Sequence, residues 1–593
     1  MISSPLPHAT ALSGLDLSTP SSPESRVLTA VEKRAEQPLL PAWWSLDALR
    51  PHVPLAFPTT PDQPPSPKSK YRSHYRPPDP VALLSEPDTL HGLTDFELTL
   101  RLIDFSPLEP VLAQTYVPSH KGQLPFHPVS MLLSVCLRRE LHLGWRGTAT
   151  LLAGEHGSGW RALLGFETGA TPSASGLRYF FQTVGPAFFA ELSPRFTDLL
   201  RQHHLFPERS TFPGDPADRG VTVTQDGMLH AARNRPSCQL ATAACYQPLD
   251  LASFQTAPEA DPTDSSSAPG AEASPRRACR ARANGREGCL CDTPACTAQC
   301  QRASVLDPDA RFIHYAGHNG KHAQASPVSP PAAGGKTARD KGIDLFGYRS
   351  VADRVLDERF SVAWTVQSQV YPANTDERTI FADRVAGLTS RFPDLPIGEW
   401  LDDAGVGYGE CLTTIWELGA LRMVDIRADP GDDDPEVCLK RGYDKQGCPL
   451  CVHGYPMRSN GYDAERRRAK YVCAQVCGRE PRRKNDAVAP VTECPYLDAE
   501  HPLGQVRNVG RSFPDGSVRL ARDIPYGSPT WKVRYGRRNL SESRNGQMEG
   551  LGLKRMRSYG LERNTKEVQI ADFLVNLRTL GRLVREATNR RAS

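Results

Sequence analysis

Apolar residues recur at three- and four-residue intervals through residues 89–208. The stretches LTDFELTLRLIDFSPLEPVLAQTY and HPVSMLLSVCLRRELHLGWRGTATLLA show this spacing clearly. It is the periodicity of amphipathic helices. Ser173 or Ser175 is well placed to cap one of them. The pattern predicts an N-terminal helical domain over residues 89–208.

Near residue 220 the pattern changes to short β-branched runs that alternate with helical segments. The run GVTVTQDGMLHA predicts a buried strand that ends at Asp226, before a turn at Gly227. Strand and helix patterns then alternate up to LRMVDIRA, and a last helical part begins at the cap residue Ser528. This alternation predicts an α/β core with parallel strands, formed by residues 215–428 and 528–593.

Three segments interrupt these patterns with polar, Pro-rich or Cys-rich sequence. Residues 1–88 are predicted to be disordered or a linker, although the apolar patch LLPAWWSLDALRPHVPLAF could dock on another surface. Residues 233–307 predict a disordered insertion that contains cysteines. Residues 429–527 predict a basic, Cys-rich insertion.

Positive charge is concentrated in the C-terminal third of the chain. The net charge is only +4, but residues 532–593 carry 15 Lys and Arg against 6 Asp and Glu, which gives +9. Residues 457–486 carry 9 against 4, which gives +5, so the rest of the chain sums to −10. Either basic run, taken alone, could be the solvent-exposed face of a helix. Two such runs on an otherwise acidic chain favour a surface that meets nucleic acid.

The sequence shows no sign of a membrane or secreted protein. It has no run of about 18 apolar residues, the length that a membrane span needs. Its first residues lack the basic and apolar regions of a secretory signal. We therefore expect no membrane partner and a cytoplasmic location, where the 15 cysteines would be reduced.

Acidic residues follow two of the predicted strands. Asp226 follows VTVTQ, and Asp402 and Asp403 follow IGEWL. Sites in open α/β sheets lie outside the carboxyl ends of strands, and carboxylates there could share Mg²⁺. A turn or a helix cap would explain each acid alone, and the sequence leaves open whether Asp402 or Asp403 is the ligand.

A third acid, Glu542, lies in the most basic segment of the chain. On a helix, Tyr535, Arg538, Glu542 and Glu549 fall within an arc of about 60°. An exposed Arg538–Glu542 ion pair would account for the spacing and stabilise little. It does not account for an acid among so many arginines.

The order Asp226, Asp403, Glu542 resembles the aspartate–aspartate–glutamate (DDE) transposases of bacterial insertion sequences, which have an RNase H-like catalytic core. In this family the second Asp often stands in a DAG-Y context, which DDAGVGY matches. The Glu lies in a Tyr-x2-Arg-x3-Glu pattern, which YGRRNLSE matches through Tyr535, Arg538 and Glu542. Some relatives have a Lys seven residues after the Glu, where this chain has Glu549.

The resemblance covers residues 90–590 and implies both a fold and an activity. The fold is an RNase H-like mixed sheet with a helical domain that binds DNA ends and a Cys-rich insertion. The activity is cleavage and strand transfer of DNA, with Mg²⁺ or Mn²⁺ held by the three acids. The implied partners are double-stranded DNA, namely the terminal inverted repeats of the element, and a second copy of the chain on that DNA. The residues expected to contact DNA are Tyr535, Arg537, Arg538 and Lys554.

The cysteines of the second insertion have the spacing of a structural zinc site. Cys448, Cys451, Cys473 and Cys477 form the pattern C-x2-C-x21-C-x3-C. Free or buried thiols are the alternative, and further ligands could come from Cys438, Cys494 and His453. The earlier group, Cys279 to Cys300, is less regular, and its metal content stays open.

Two other functions fit parts of the sequence. One is a catalytically inactive, zinc-bearing DNA-binding protein derived from a transposase. The other is a nuclease-like enzyme that acts on RNA. Loss of DNA cleavage on substitution of Asp226, Asp403 or Glu542 would favour the transposase over the first, and competition between DNA and RNA substrates would expose the second.

Overall fold

The computed structural model describes residues 55–59, 71–80, 83, 90, 92–116, 124–166, 170–234, 237–238, 303–304, 307–315, 343–429, 431–474, 494–496 and 500–592. These residues form helices and a mixed sheet, which confirms the predicted α/β class. The strands are β1 Leu55–Ala56, β2 Ile103–Asp104, β3 Val221–Ala231, β4 Ser237–Cys238, β5 Ala303–Ser304, β6 Arg311–Tyr315, β7 Ile343–Asp357, β8 Val362–Pro372, β9 Ile397–Asp402, β10 Leu421–Val424, β11 Arg458–Asp463, β12 Arg468–Val472 and β13 Val506–Val509. The α-helices are α1 Asp95–Leu100, α2 Glu109–Thr115, α3 Pro128–Glu140, α4 Trp145–Ala153, α5 Ser158–Leu164, α6 Ala174–Thr183, α7 Pro186–Ala190, α8 Leu192–Gln202, α9 Glu377–Arg391, α10 Gly409–Glu417, α11 Pro435–Arg441, α12 Pro529–Gly536, α13 Asn539–Gly550 and α14 Leu561–Ala592.

Strand β3 lies at the centre of the large sheet. It runs parallel to β9, and β9 runs parallel to β10. On its other side β3 pairs with β7 in the antiparallel sense, and β7 pairs in the same sense with β6 and β8. The parallel strands expected from the sequence are therefore present. Asp402 is the last residue of β9 and Asp403 follows it, whereas Asp226 lies within β3.

The turn predicted at Gly227 is wrong. Strand β3 continues to Ala231, with Gly227 opposite Val351 on β7. Pairing with β7 satisfies the backbone of this stretch, so the local turn preference of Asp-Gly is overridden. The glycine has another role here, because a Cβ built on Gly227 would lie 2.8 Å from Oε1 of Glu377. Only a residue without a side chain lets that carboxylate come so close.

The predicted helices before residue 208 are present, but they have no core of their own. Their apolar faces join one cluster with the sheet and the 32-residue helix α14. The ring of Phe196 on α8 lies 5.8 Å from Phe573 on α14 and 6.3 Å from Trp364 on β8. Thr99 on α1 donates a hydrogen bond of 2.8 Å to the carbonyl of Leu577. The helices and the sheet therefore share one hydrophobic core.

Part of the segment predicted to be a linker is ordered. Leu55 and Phe57, at the end of the apolar patch, are buried in the main core. Strand β1 pairs with β2 in parallel, and Ser73 accepts a hydrogen bond of 2.7 Å from the backbone of His127. The apolar patch docks at its C-terminal end, as its composition suggested, while the other residues of 1–88 lie largely outside the described ranges.

The second insertion contains a small sheet that the sequence did not predict. Strands β11, β12 and β13 are antiparallel and pack on a separate cluster that includes Tyr443, Met457, Tyr471 and Phe513. Arg422 on β10 holds the end of this insertion to the core through Asp523, at 2.9 Å. The first insertion lies almost entirely outside the described residues, as does its cysteine group. Within the described ranges, no helix is both long enough and apolar enough to cross a membrane.

Buried His230 predicts a loss of stability in acid. Its ring bonds to the carbonyl of Leu553 at 2.6 Å and to Oγ of Ser350 at 2.7 Å, and burial lowers its pKa to about 4. Because the folded-state pKa lies below the unfolded value of about 6.5, the neutral ring stabilises the fold above about pH 6.5. That contribution is lost as the pH falls towards 4. We expect it to amount to about 3 kcal/mol, measured as the free energy of unfolding in urea between pH 7 and pH 4.

His230→Gln should remove this pH dependence, and substitution of the exposed His156 by Gln should not. Equal pH dependence in the wild type and in His230→Gln would contradict the assignment.

Candidate functional site

The register of β3 and β9 brings two predicted acids together. Thr224 pairs with Leu401 in this parallel ladder. Two residues further along the chain, Asp226 lies on the same face of β3 as Thr224, and Asp403 directly follows the last residue of β9. Both acids, with Asp402, line a pocket of about 410 Å³.

The pocket carries far more carboxylate than cationic charge. Its acids are Asp226, Glu377, Asp402, Asp403 and Glu549. Its cations are Arg349 and Arg538, and Asn545 adds an uncharged amide. When all five acids are ionised, they leave a negative excess over the two arginines in a partly desolvated space.

Asp226 is buried with one oxygen unsatisfied. Its Oδ1 accepts a hydrogen bond of 3.3 Å from Nδ2 of Asn545, whereas its Oδ2 and the Oδ1 of Asn545 have no hydrogen-bond partner. Burial raises the pKa of Asp226 to about 6, with nearby arginines, Arg544 first, acting in the opposite direction. A buried carboxylate oxygen without a partner is costly. A cation bound in the pocket would remove that cost.

Asp402 and Asp403 have different surroundings. Asp402 is buried and accepts a bond of 2.8 Å from the backbone of Asp403, and burial raises its pKa well above the ordinary value. The side chain of Asp403 is 47% exposed. Its Oδ1 caps Gly405 at 2.6 Å, and its Oδ2 lies 3.3 Å from Nη2 of Arg538. Both carboxylates line the pocket, so both remain candidate ligands.

Glu377 is a pocket acid that sequence reasoning missed. It is the first residue of α9 and is ion-paired with Arg349. Its carboxylate lies over Gly227 and Gly405, where a Cβ on Gly405 would be 3.1 Å from Oε2. Burial raises the pKa of Glu377. The sequence shows only an acid in a first helical turn, which is common, and the position of that turn is set by the strand order.

Glu542 does not line the pocket. Its Oε1 accepts a bond of 2.7 Å from Nη1 of Arg538, and its side chain is 51% exposed. The predicted continuous helix face is interrupted, because α12 ends at Gly536 and α13 begins at Asn539. Arg538 therefore stands between Glu542 and Asp403, while Glu549, two turns further along α13, lines the pocket.

Two residues expected to contact DNA are structural in this conformation. Arg537 is buried and ion-paired with Glu399 and, at 2.6 Å, with Glu358. Tyr535 stacks on Trp531 with ring centroids 4.3 Å apart. The prediction of a DNA contact is not supported for Arg537, because the buried charge of Glu399 needs a cationic partner. Lys554 is 79% exposed, as a DNA contact requires, and lies 3.4 Å from Oε1 of Glu549.

Buried arginines fix α13 against the sheet. Arg354 on β7 donates to the carbonyls of Leu540 and Ser541, at 3.2 and 2.7 Å. Arg544 on α13 binds both oxygens of Asp572 on α14, at 2.6 and 2.9 Å. These bonds set the position of Asn545 beside Asp226.

The donor set of the pocket fits a hard divalent cation. Mg²⁺ and Mn²⁺ prefer oxygen ligands, and the pocket offers carboxylates, an amide oxygen and the unsatisfied Oδ2 of Asp226. Among the described residues, no three His, Cys, Asp or Glu side chains already converge on one point in a metal-binding arrangement. Binding would therefore draw the carboxylates away from Arg349 and Arg538.

The cysteines predicted to bind zinc are placed only in part. Cys451 and Cys473 are buried, and the Sγ of Cys448 bonds to the carbonyl of Met457 at 3.1 Å. Burial raises the pKa of the Cys448 thiol to about 12. Cys477 lies outside the described residues. The zinc site therefore stays a prediction.

Removing the buried partner of Asp572 should destabilise the fold strongly. Arg544→Ala leaves that carboxylate buried without its cation, and we expect the free energy of unfolding to fall by about 3 to 5 kcal/mol. The matched control is Arg582→Ala, whose ion pair with Glu586 at 3.5 Å is exposed and should contribute less than about 1 kcal/mol. Chemical denaturation measures both. A loss for Arg544→Ala no larger than that of the control would contradict the anchoring role.

Comparison with known proteins identifies no relative of this chain. No protein-family model, no curated protein and no solved structure matches the chain. The function has to be inferred from the residues of the site.

Proposed function

We propose that this chain is a DDE-type DNA transposase that cleaves and joins phosphodiester bonds of an insertion sequence. The observation that carries the proposal is a pair of acids in one carboxylate-rich pocket: Asp226 lies in β3, and Asp403 directly follows β9, the parallel neighbour of β3. The unsatisfied Oδ2 of Asp226 favours a cation site over a purely structural cluster. A cytoplasmic location, a homodimer on DNA and recognition of terminal inverted repeats belong to the same proposal.

The sheet supports an RNase H-like core. Strands β3, β7 and β8 form an antiparallel set in chain order, and β9 and β10 then add in parallel on the other side of β3. Helix α9 connects the two sets, and helices α12 to α14 follow β10 after the insertion. This succession agrees with the fold that the family resemblance implies.

The residues of the pocket would have separate roles in phosphodiester cleavage. A bound divalent cation would supply charge neutralisation for the phosphate and for the oxygen that leaves. Asp226 and Asp403 would hold it, with Asp402 as the alternative to Asp403. Arg538 would bind a phosphate oxygen, since guanidinium groups bind phosphate through paired hydrogen bonds.

Arg538 also explains how Glu542 joins the site. In the structure its guanidinium binds both Asp403 and Glu542. When Arg538 turns to a DNA phosphate, both carboxylates lose their partner next to the pocket. Glu542 would then be free to act as the third acid of the triad.

Cleavage of DNA should depend on the two strand acids. We expect Asp226→Asn and Asp403→Asn to lower the rate of Mg²⁺- or Mn²⁺-dependent cleavage of element ends by at least about a hundredfold, the effect of losing one electrostatic group at a reacting centre. Asp383→Asn, an exposed acid on α9, is the matched control. Gel analysis of labelled DNA measures the rate. Cleavage at the control rate by both variants would exclude the assignment, and binding of element ends without cleavage by the wild type would favour the inactive DNA-binding protein.

The two acids of α13 give a second test. If Glu542 is the third acid, Glu542→Gln should abolish cleavage, while Glu549→Gln should retain most of it. The same gel assay measures both, with the thermal unfolding temperature of each variant as a folding control. Loss of cleavage only in Glu549→Gln would assign the role to the acid that lines the pocket in the structure.

A further inference from the structure

A second large cavity lies between the helices and the segment that follows α13. Its volume is about 780 Å³. Helices α3, α4 and α6 form one wall, and residues 552–563 form another. Seven cationic residues line it, and we call it the basic cleft: Arg138, Arg178, Arg233, Lys554, Arg555, Arg557 and Arg563.

The positive charge of the basic cleft is largely uncompensated. Among the described residues that line it, Glu567 is the only acid, and it is shared by the buried Arg138, at 2.6 Å, and Arg139. Two cations on one carboxylate leave a net positive charge beneath the floor of the cleft. The pKa of Arg139 is lowered chiefly by burial, and the positive charges of Arg138 and Arg557 lower it further.

Three arginines at the cleft are free to meet an anion. Arg178, Arg555 and Arg563 are exposed and make no ion pair with any described residue. They belong to different elements, α6, the segment after α13, and α14. Exposed cations that converge on one cavity without acidic partners repel one another, so the arrangement stabilises a bound polyanion.

Two aromatic rings orient further arginines of the cleft. Arg138 lies over Trp145 at 4.1 Å from the ring centroid, and Arg233 lies over Tyr559 at 4.9 Å. Binding of single-stranded nucleic acid relies on exposed aromatic faces that stack on bases. Each of these rings already has a guanidinium over a face, and cations dominate the lining. The chemistry favours contact with the phosphate backbone of a duplex.

The basic cleft lies beside the carboxylate pocket. Glu549 lines the pocket and Lys554 lines the cleft, and their charged groups lie 3.4 Å apart. We propose that the basic cleft binds the backbone of duplex DNA beside the bond that lies in the pocket. The identity of the polymer rests on the proposed function, whereas the polyanion site rests on the cleft alone.

Salt-dependent DNA binding tests this inference. The probe is a fluorescent DNA duplex longer than one helical turn, and the readout is anisotropy in EDTA, where no cleavage occurs. The test protein is the full chain with Arg178→Ala, Arg555→Ala and Arg563→Ala combined. The control carries Arg101→Ala, Arg209→Ala and Arg582→Ala, which removes the same charge from exposed positions outside the cleft. Circular dichroism confirms that both variants are folded.

We expect the cleft variant to bind duplex DNA at least about tenfold more weakly than the control at physiological salt. Its slope of log affinity against log salt should fall by about three units, because each lost phosphate contact removes about 0.9. Affinity and slope equal to those of the control would overturn the inference. A loss confined to an RNA duplex of the same length would also overturn it, in favour of an RNA partner.

Failure of the cleft and failure of the proposed function are distinguishable. Asp226→Asn keeps the basic cleft intact, so it should bind the duplex with the wild-type salt slope. If the wild type binds through the cleft but never cleaves with Mg²⁺ or Mn²⁺, the cleft stands and the transposase assignment fails. If the wild type cleaves while the cleft variant binds and cleaves normally, only the cleft fails.

Discussion

Buried arginine–carboxylate pairs hold the last two helical segments against the sheet, and the geometry of the site depends on them. Glu399 on β9 is fully buried and is paired with Arg534 and Arg537 of the α12 segment. Arg544 on α13 is paired with Asp572 on α14. Taking such charges out of water is costly unless both partners stay together. The pairs therefore specify one position for the helices that carry Arg538, Asn545 and Glu549.

This constraint gives the basic run at the C-terminus two separate roles. Some of its arginines, such as Arg534, Arg537 and Arg544, are buried and structural. Others, such as Arg555 and Arg563, are exposed at the basic cleft. Glu542 is held by Arg538 at the boundary between these groups. The acid among arginines is thus not an anomaly, because a neighbouring guanidinium keeps it next to the carboxylate pocket.

The sequence predicted the elements of the core well, because apolar periodicity reports directly on burial. It also singled out Asp226 and the Asp402–Asp403 pair, which line one pocket, since acids beside apolar runs are visible in a one-dimensional pattern. It could not reveal Glu377 or Asn545, whose places in the pocket depend on where α9 and α13 pack. Counting charges gave the sign of the C-terminal segment but not which arginines are buried, and Arg537 is one of the buried ones. In short, polar strands such as β11, apolar and polar residues alternate too weakly for the strand to be predicted from the sequence.

We propose that the pocket bounded by Asp226, Asp402 and Asp403 binds a divalent cation. Anomalous diffraction from crystals of the full chain grown with Mn²⁺ tests it most directly, because the signal locates the ion without reference to activity. We expect an anomalous peak in this pocket, in contact with Asp226 and with Asp402 or Asp403. An empty pocket in crystals that hold Mn²⁺ elsewhere, with Arg538 still bound to Asp403 and Glu542, would contradict the claim.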